Sequence, residues 1–279
     1  VLREGALYGR GVSDDKGHFV NRLFALDAFM NLEGELPCNV KFILEGEEEV
    51  GSPNLPAFME KYHNRIKADA CIWEFGEVDH RGAPLQELGV RGLLYVELAV
   101  TTAHQDVHSG VGGSIFPNAA WRLVWALNSL KTPDERVRIP GFYDAVRPPG
   151  QKDEALMEVL PDIADEYRTR YGIKRFIKGL RGGKELRMAE ALEPSATICG
   201  LTAGYQGPGS KTIVPARACA KMDFRLVPDQ NPQEILQMLR KHLDDEGFDD
   251  VEIISHGIIP PAVSYTHLRA HETPEPLVC

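Results

Sequence analysis

"NVKFILEGEEEVGS", residues 39–52, joins a short β-rich run to four glutamates, and its reading decides the fold. Asn39–Leu44 has the β-branched and aromatic content of a strand. Glu45, Glu47, Glu48 and Glu49 follow at once, although like charges so close repel. On the residues alone two readings stay open. One is a solvated acidic loop, the other a metal site in which a dication turns repulsion into attraction.

Working outward, "DDKGHFVNRLFALDAFMNL" spaces Phe19, Val20, Leu23, Phe24, Leu26, Phe29 and Met30 as a helix does. Asp14 and Asp15 stand at its start, where the helix dipole favours negative charge. On the other side "SPNLPAFMEKYH" predicts a second helix, with Ser52 as its cap and Pro53 at the first position. "ADACIW" predicts a second strand, ending at Glu74. Helix, strand, helix, strand is the alternation of an α/β sheet. Acids at three such junctions lie where open α/β sheets collect ligands, outside the carboxyl ends of the strands. The nearest basic residues to the glutamates in sequence are Lys41 and Lys61, so a metal is the cation expected to balance them. Oxygen ligands alone suit Mg²⁺ or Ca²⁺, and added imidazole favours Zn²⁺, Mn²⁺ or Co²⁺.

The pattern changes after about residue 86. "GLLYVELAVTTA" alternates apolar and polar positions, as a strand with one exposed face does. "FPNAAWRLVWALNSL" predicts a helix, with Trp121 and Trp125 expected in the core. A polar stretch over 131–194 holds at least one more helix. "SATICGLTAGY", "KTIVPARACAKMDFRLV" and "DVEIIS" predict strands, and "NPQEILQMLRKHLDDEG" an amphipathic helix. Strand, helix, strand, strand, helix, strand is a ferredoxin-like α+β layer. His104 is expected at a surface strand end.

The chain has 279 residues, net charge −10 and a pI near 5.4, a poor match for tracking phosphates, so nucleic acid is excluded as a partner. No apolar run reaches the about 18–20 residues of a membrane helix. Cys38, Cys71, Cys199, Cys219 and Cys279 form no C-x-x-C pair. Buried free thiols in a reducing, cytoplasmic compartment are the expectation. "VLREGALYGRG" at the N-terminus lacks an initiator Met and a signal pattern, and reads as the interior of a longer protein. "VSYTHLRAHETPEPLVC", residues 263–279, has no period and resembles translated adapter sequence. His267, His271 and Glu272 there only mimic a metal motif.

"LYGRGVSDDKG", "EGEEEVGS", "DVHSG" and "KTIVP" followed by "DFRLVPDQ" occur in the order and rough spacing of one family. Over residues 3–262 the chain resembles the di-zinc peptidases that include carnosine dipeptidases, glutamate carboxypeptidase, aminoacylase and succinyl-diaminopimelate desuccinylase. The resemblance implies an α/β catalytic domain, mostly parallel sheet with flanking helices, carrying an inserted α+β lid that makes a homodimer. The segments are 1–87 (catalytic), 88–256 (lid) and 257–262 (return to the catalytic domain). It implies that Asp14 bridges two zinc ions, that Glu49 and Glu74 each bind one, and that Glu48 is the general base. Mn²⁺ or Co²⁺ are alternatives to zinc. His108 would polarise the scissile carbonyl from the partner subunit's lid, while Arg225, Thr212 and His256 contact the substrate, a small peptide or an N-acyl amino acid.

The family's two histidine ligands, one in an upstream H-x-D and one near the C-terminus, are absent from this sequence. The chain as written is therefore expected to bind zinc weakly and to hydrolyse little. The expected activity is metal-dependent hydrolysis of dipeptides or short peptides. Glu74, rather than Asp, keeps open an N-acyl-amino-acid deacylase or carboxypeptidase. A non-catalytic dimerising protein is the reading from another class.

Overall fold

The structure, a computed structural model, describes residues 1–72, 77–79, 81–85 and 89–263. Two compact units divide the chain, Val1–Gln86 and Glu87–Cys279. Glu74 and the tail from 264 onward lie outside the described residues, so the readings placed on them have no structural counterpart here.

In the first unit, helix α1 (His18–Glu33) follows a helical turn over Val12–Gly17. Gly34 ends it at φ 80°, with its N–H on the Met30 carbonyl. That left-handed cap is one a side chain would strain. Helix α2 (Leu55–Ile66) starts later than its sequence suggests. Asn54 precedes it, Pro56 occupies its first turn, and the Ser52 hydroxyl turns away to Glu45 Oε1 at 2.6 Å. Ser52 is thus a loop tie and no cap.

The mostly parallel sheet expected here does not form among the described residues, where every ladder is antiparallel. Asn39–Leu44 and 68–72 carry no ladder. A strand needs a neighbour to accept its N–H groups, and none lies beside this run among the described residues. Phe42, Ile43 and Leu44 stay exposed, and Phe42 meets the Phe19 ring edge-on at 5.6 Å. Helix α1 likewise buries no residue fully.

The second unit holds a four-stranded antiparallel sheet of β1 (Gly92–Thr101), β3 (Ser195–Ala203), β5 (Arg217–Leu226) and β6 (Glu252–Ile259). Two short strands, β2 (Val107–His108) and β4 (Ile213–Val214), pair separately. Spatial order is β6-β1-β5-β3. With α3 (Ala119–Leu130) between β1 and β3, and α7 (Pro232–Asp245) between β5 and β6, the chain runs in the ferredoxin-like order. Period-2 alternation puts Leu94, Val96, Leu98 and Val100 of β1 on the buried face beside Ala218, Ala220, Met222 and Phe224 of β5. Alanines there let α3 approach closely with Leu123, Ala126 and Leu130, while α7 adds Ile235, Leu239 and Leu243. Asn118 and Asn231 cap the two helices through their side-chain oxygens, at 3.2 and 2.9 Å from the Trp121 and Gln233 amides.

Helices α4 (Gln151–Val159), α5 (Ala164–Tyr171) and α6 (Gly183–Leu192) form the insert between α3 and β3, with a small core of Ile163, Ala164 and Leu186. Trp121 and Trp125 are exposed, contrary to the core placement expected of them, and stack on each other at 6.0 Å. Helix α3 is apolar on both sides, and Leu123, Ala126 and Leu130 face the sheet. Cys38, Cys71 and Cys199 are exposed as well. Cys199 lies on edge strand β3, whose outer face nothing covers among the described residues.

Arg122 ties α3 to the loop after α7. Its Nε and Nη2 donate to Asp250, at 2.6–3.0 Å, and Nη2 also reaches the Gly247 carbonyl. The Arg122 hydrogen bond holds the Asp250 carboxyl below its ordinary range. A carboxyl depressed on folding adds stability that is complete above its unfolded pKa, about 3.9, and is lost as pH falls through the folded value. Asp250→Asn is expected to cost about 1–2 kcal/mol near pH 7, reduced by partial exposure, and to flatten the fall below about pH 4. Urea unfolding at a series of pH values checks this; parallel pH profiles for parent and variant would sink it.

Candidate functional site

Each unit carries part of the predicted set. In the first, a short helical turn Glu48–Val50 follows the extended run, and Gly51 closes it at φ 86° with its N–H on the Glu48 carbonyl at 2.8 Å. Three of the four glutamates turn to different partners. Glu45 accepts from Ser52, and Glu47 accepts twice from Asn54 Nδ2, at 2.9 and 3.0 Å. Glu49 pairs with Arg10 at 3.0 Å, both side chains exposed. Arg10 is the cation that sequence neighbourhood hid, because it belongs to "YGRG" and meets Glu49 only through the fold. Asp14 is exposed, at φ −115° and ψ 98°, a kink that separates it from the helical residues around it. Asp15 faces Arg22 at 3.9 Å.

Of the predicted ligands, the described ones are the hard carboxylates of Asp14 and Glu49. Among the described residues, no three His, Cys, Asp or Glu side chains stand together closely enough to hold a metal ion. The described donors thus do not make up a metal's ligand set. Arg10 holds one of the predicted ligands, Glu49.

In the second unit, β2 and β4 pair so that His108 lies opposite Ile213, and the Ser109 N–H donates to the Thr212 carbonyl at 3.0 Å. This ladder joins two predicted residues: Thr212 Oγ1 lies 3.1 Å from His108 Nε2. The Gly110 N–H donates to His108 Nδ1 at 3.0 Å. Asp106 braces the same region by accepting from the Ala216 N–H at 3.0 Å.

Arg225 and His256 sit on strands β5 and β6. Arg225 Nε donates to Asp223 Oδ2 at 3.1 Å, two residues along the same strand face. His256 Nε2 lies 3.3 Å from Glu97 Oε2, and its ring meets Tyr95 edge-on at 6.3 Å. Burial lowers the Arg91 guanidinium, and the like charge of Arg225 lowers it further. Burial, then the Cys199 thiol, pushes the Tyr95 hydroxyl up. Tyr95, Glu97 and Asp223 went unnoticed in the sequence. Their signal was strand phase, since all three fall on the face of β1 and β5 opposite the apolar core.

Residues 1–215 match the model of Peptidase family M20/M25/M40, and the chain belongs to that family. Over 244 residues it is 33% identical to the human Beta-Ala-His dipeptidase, covering 87% of this chain and 48% of that protein. It is 28% identical to the Cys-Gly metallodipeptidase DUG1 of Saccharomyces cerevisiae, covering 86% and 50%. Among solved structures, the M20 family metallo-carboxypeptidase Sso-CP2 of Sulfolobus solfataricus superposes with a TM-score of 0.86 at 39% identity, covering 94% of this chain and 59% of that one. The chain spans about half the length of the curated relatives it matches.

Proposed function

We propose that this chain carries catalytic and lid segments of a metal-dependent hydrolase of dipeptides or short peptides. The observation that carries the reading is family membership together with the retained Asp14, Glu48, Glu49 and His108. Glu48 takes the proton of the attacking water and returns it to the leaving amine. His108 and Thr212 form one hydrogen-bonded pair that donates to oxygen on the substrate, and Arg225 offers a fork for a carboxylate. Two zinc ions, or Mn²⁺ or Co²⁺, would supply Lewis acidity when bound by Asp14, Glu49, Glu74 and histidines from outside this sequence.

A panel of β-alanyl-histidine, cysteinyl-glycine and N-acetyl amino acids, assayed with each metal in a protein carrying this segment and the missing histidines, tests the reading. Cleavage of the dipeptides alone supports it. Cleavage of N-acyl substrates moves the assignment to the deacylase alternative, and cleavage of C-terminal residues from longer peptides moves it to the carboxypeptidase alternative, which the likeness to the Sulfolobus metallo-carboxypeptidase supports. No cleavage by any combination leaves the non-catalytic, dimerising role.

The proposed partner is a second copy, joined through the second unit. Exposed Trp121, Trp125, Val111 and Ile115, together with the open edge of β3, support that contact. Trp125→Glu is expected to shift the molar mass in light scattering from two chains to one; an unchanged mass would remove the face from consideration. The proposed compartment is the cytoplasm, with Cys38, Cys71, Cys199 and Cys219 unpaired. No helix among the described residues is long and apolar enough to cross a membrane.

A further inference from the structure

His108 is held from both sides. Its Nδ1 faces a backbone N–H, that of Gly110, which can only donate. A nitrogen that accepts carries no proton, so the neutral ring must carry its proton on Nε2. Nε2–H then donates to Thr212 Oγ1, 3.1 Å away. The Thr212 oxygen, having accepted, keeps its own hydroxyl proton for a further acceptor. Thr212 is exposed.

The backbone fixes this arrangement. The β2–β4 ladder and the Ser109–Thr212 bond set the separation of the two side chains. Gly110 does more than lend its amide. A Cβ there would stand 2.9 Å from His108 Cε1 and 3.0 Å from Nδ1, so any side chain displaces the ring. In "DVHSG" the glycine therefore gives the imidazole its place.

We propose that Gly110, through its backbone N–H and its missing Cβ, and Thr212, through its hydroxyl, are positioning residues that hold His108 as a neutral Nε2–H imidazole. The order of donation runs from the Gly110 amide, through the ring, to the Thr212 hydroxyl. Each donor polarises the next, so the outermost proton is the one on Thr212. The functional consequence rests on the reading of His108 as substrate-facing, whereas the tautomer does not.

Long-range ¹H–¹⁵N correlation spectra of the full chain, labelled at histidine nitrogens and recorded above the histidine titration range, test this. The His108 signals are assigned by their loss in His108→Gln. The expected spectrum has Nε2 protonated and Nδ1 bare. Gly110→Ala is expected to move both nitrogen shifts towards the mixed-tautomer average, and Thr212→Val to move Nε2. Thr212→Ser, which keeps the hydroxyl, is expected to restore the parent positions, with circular dichroism reporting that each variant is folded. A parent spectrum with Nδ1 protonated overturns the proposal. So do ring shifts that ignore both Thr212→Val and Gly110→Ala in folded protein. A locked tautomer in a chain that fails every substrate test would leave this inference standing and remove the hydrolase reading.

Discussion

Phe224→Ala is expected to destabilise the second unit by about 3–5 kcal/mol, the usual cost of deleting a fully buried aromatic ring. Phe224 lies on β5 opposite Leu94 of β1 and Ala196 of β3, so it is flanked by strands on both sides. No part of it reaches solvent, and its ring lies 6.1 Å from that of Phe142. Phe142 is itself buried, and its carbonyl accepts from Gln230 at 2.7 Å, which ties that ring to the start of α7. A cavity opened there cannot be closed by moving one side chain, which places the cost towards the upper end. Domains are stable by only about 5–15 kcal/mol, so the loss takes a large share. Urea unfolding followed by circular dichroism measures it. Arg217→Ala, an exposed position on the same strand, is expected within about 0.5 kcal/mol of the parent. Equal midpoints for Phe224→Ala and Arg217→Ala would show that this face of the sheet is not the core.

The legible part of the fold was the part written in local pattern. Alternation from Leu93 to Val100 announced a strand with one buried face, and Asn231-Pro232 announced the start of α7. Those signals survive because each element of the second unit finds its partner within the same unit. Asn39–Leu44 has equally strong β character but no neighbour to bond among the described residues, so composition promised a strand that pairing does not supply. Trp121 and Trp125 misled for a related reason. An apolar residue on a helix says that it can be buried, and only the sheet beneath decides which side is.

The candidate site divides along the same line. Glu48, Glu49 and His108 were visible as motif residues, but their partners were not. Arg10 meets Glu49 across the fold, and Thr212 meets His108 from 104 residues away. Gly110 lies two residues after His108 in the motif, and only the fold shows its amide and its missing Cβ against the ring. Sequence spacing identified which groups carry chemistry, while their hydrogen-bond directions and counter-charges came only from tertiary structure.

Glu48→Gln, made in a hydrolytically active protein carrying this segment, is expected to lower kcat about 10²–10⁴-fold with little change in KM, the range for losing a general acid–base group. Gln keeps the size of the side chain and its ability to hydrogen-bond, but it cannot take a proton from water. The backbone turn that carries Glu48 is held by the Gly51 amide and by the Ser52 N–H on the Glu47 carbonyl, and neither bond uses the Glu48 side chain. Glu47 provides the comparison, since its carboxylate already has two hydrogen bonds from Asn54. Glu47→Gln keeps an acceptor oxygen for Asn54, so it is expected to leave kcat close to that of the parent. If both substitutions lowered kcat alike, the loop would be acting through its summed charge, and Glu48 would lose its separate role as base. If only Glu47→Gln did so, the base would have been placed on the wrong residue of the quartet. A selective loss at Glu48 ties proton transfer to the third of the four glutamates, while Glu45, Glu47 and Glu49 are held by Ser52, Asn54 and Arg10.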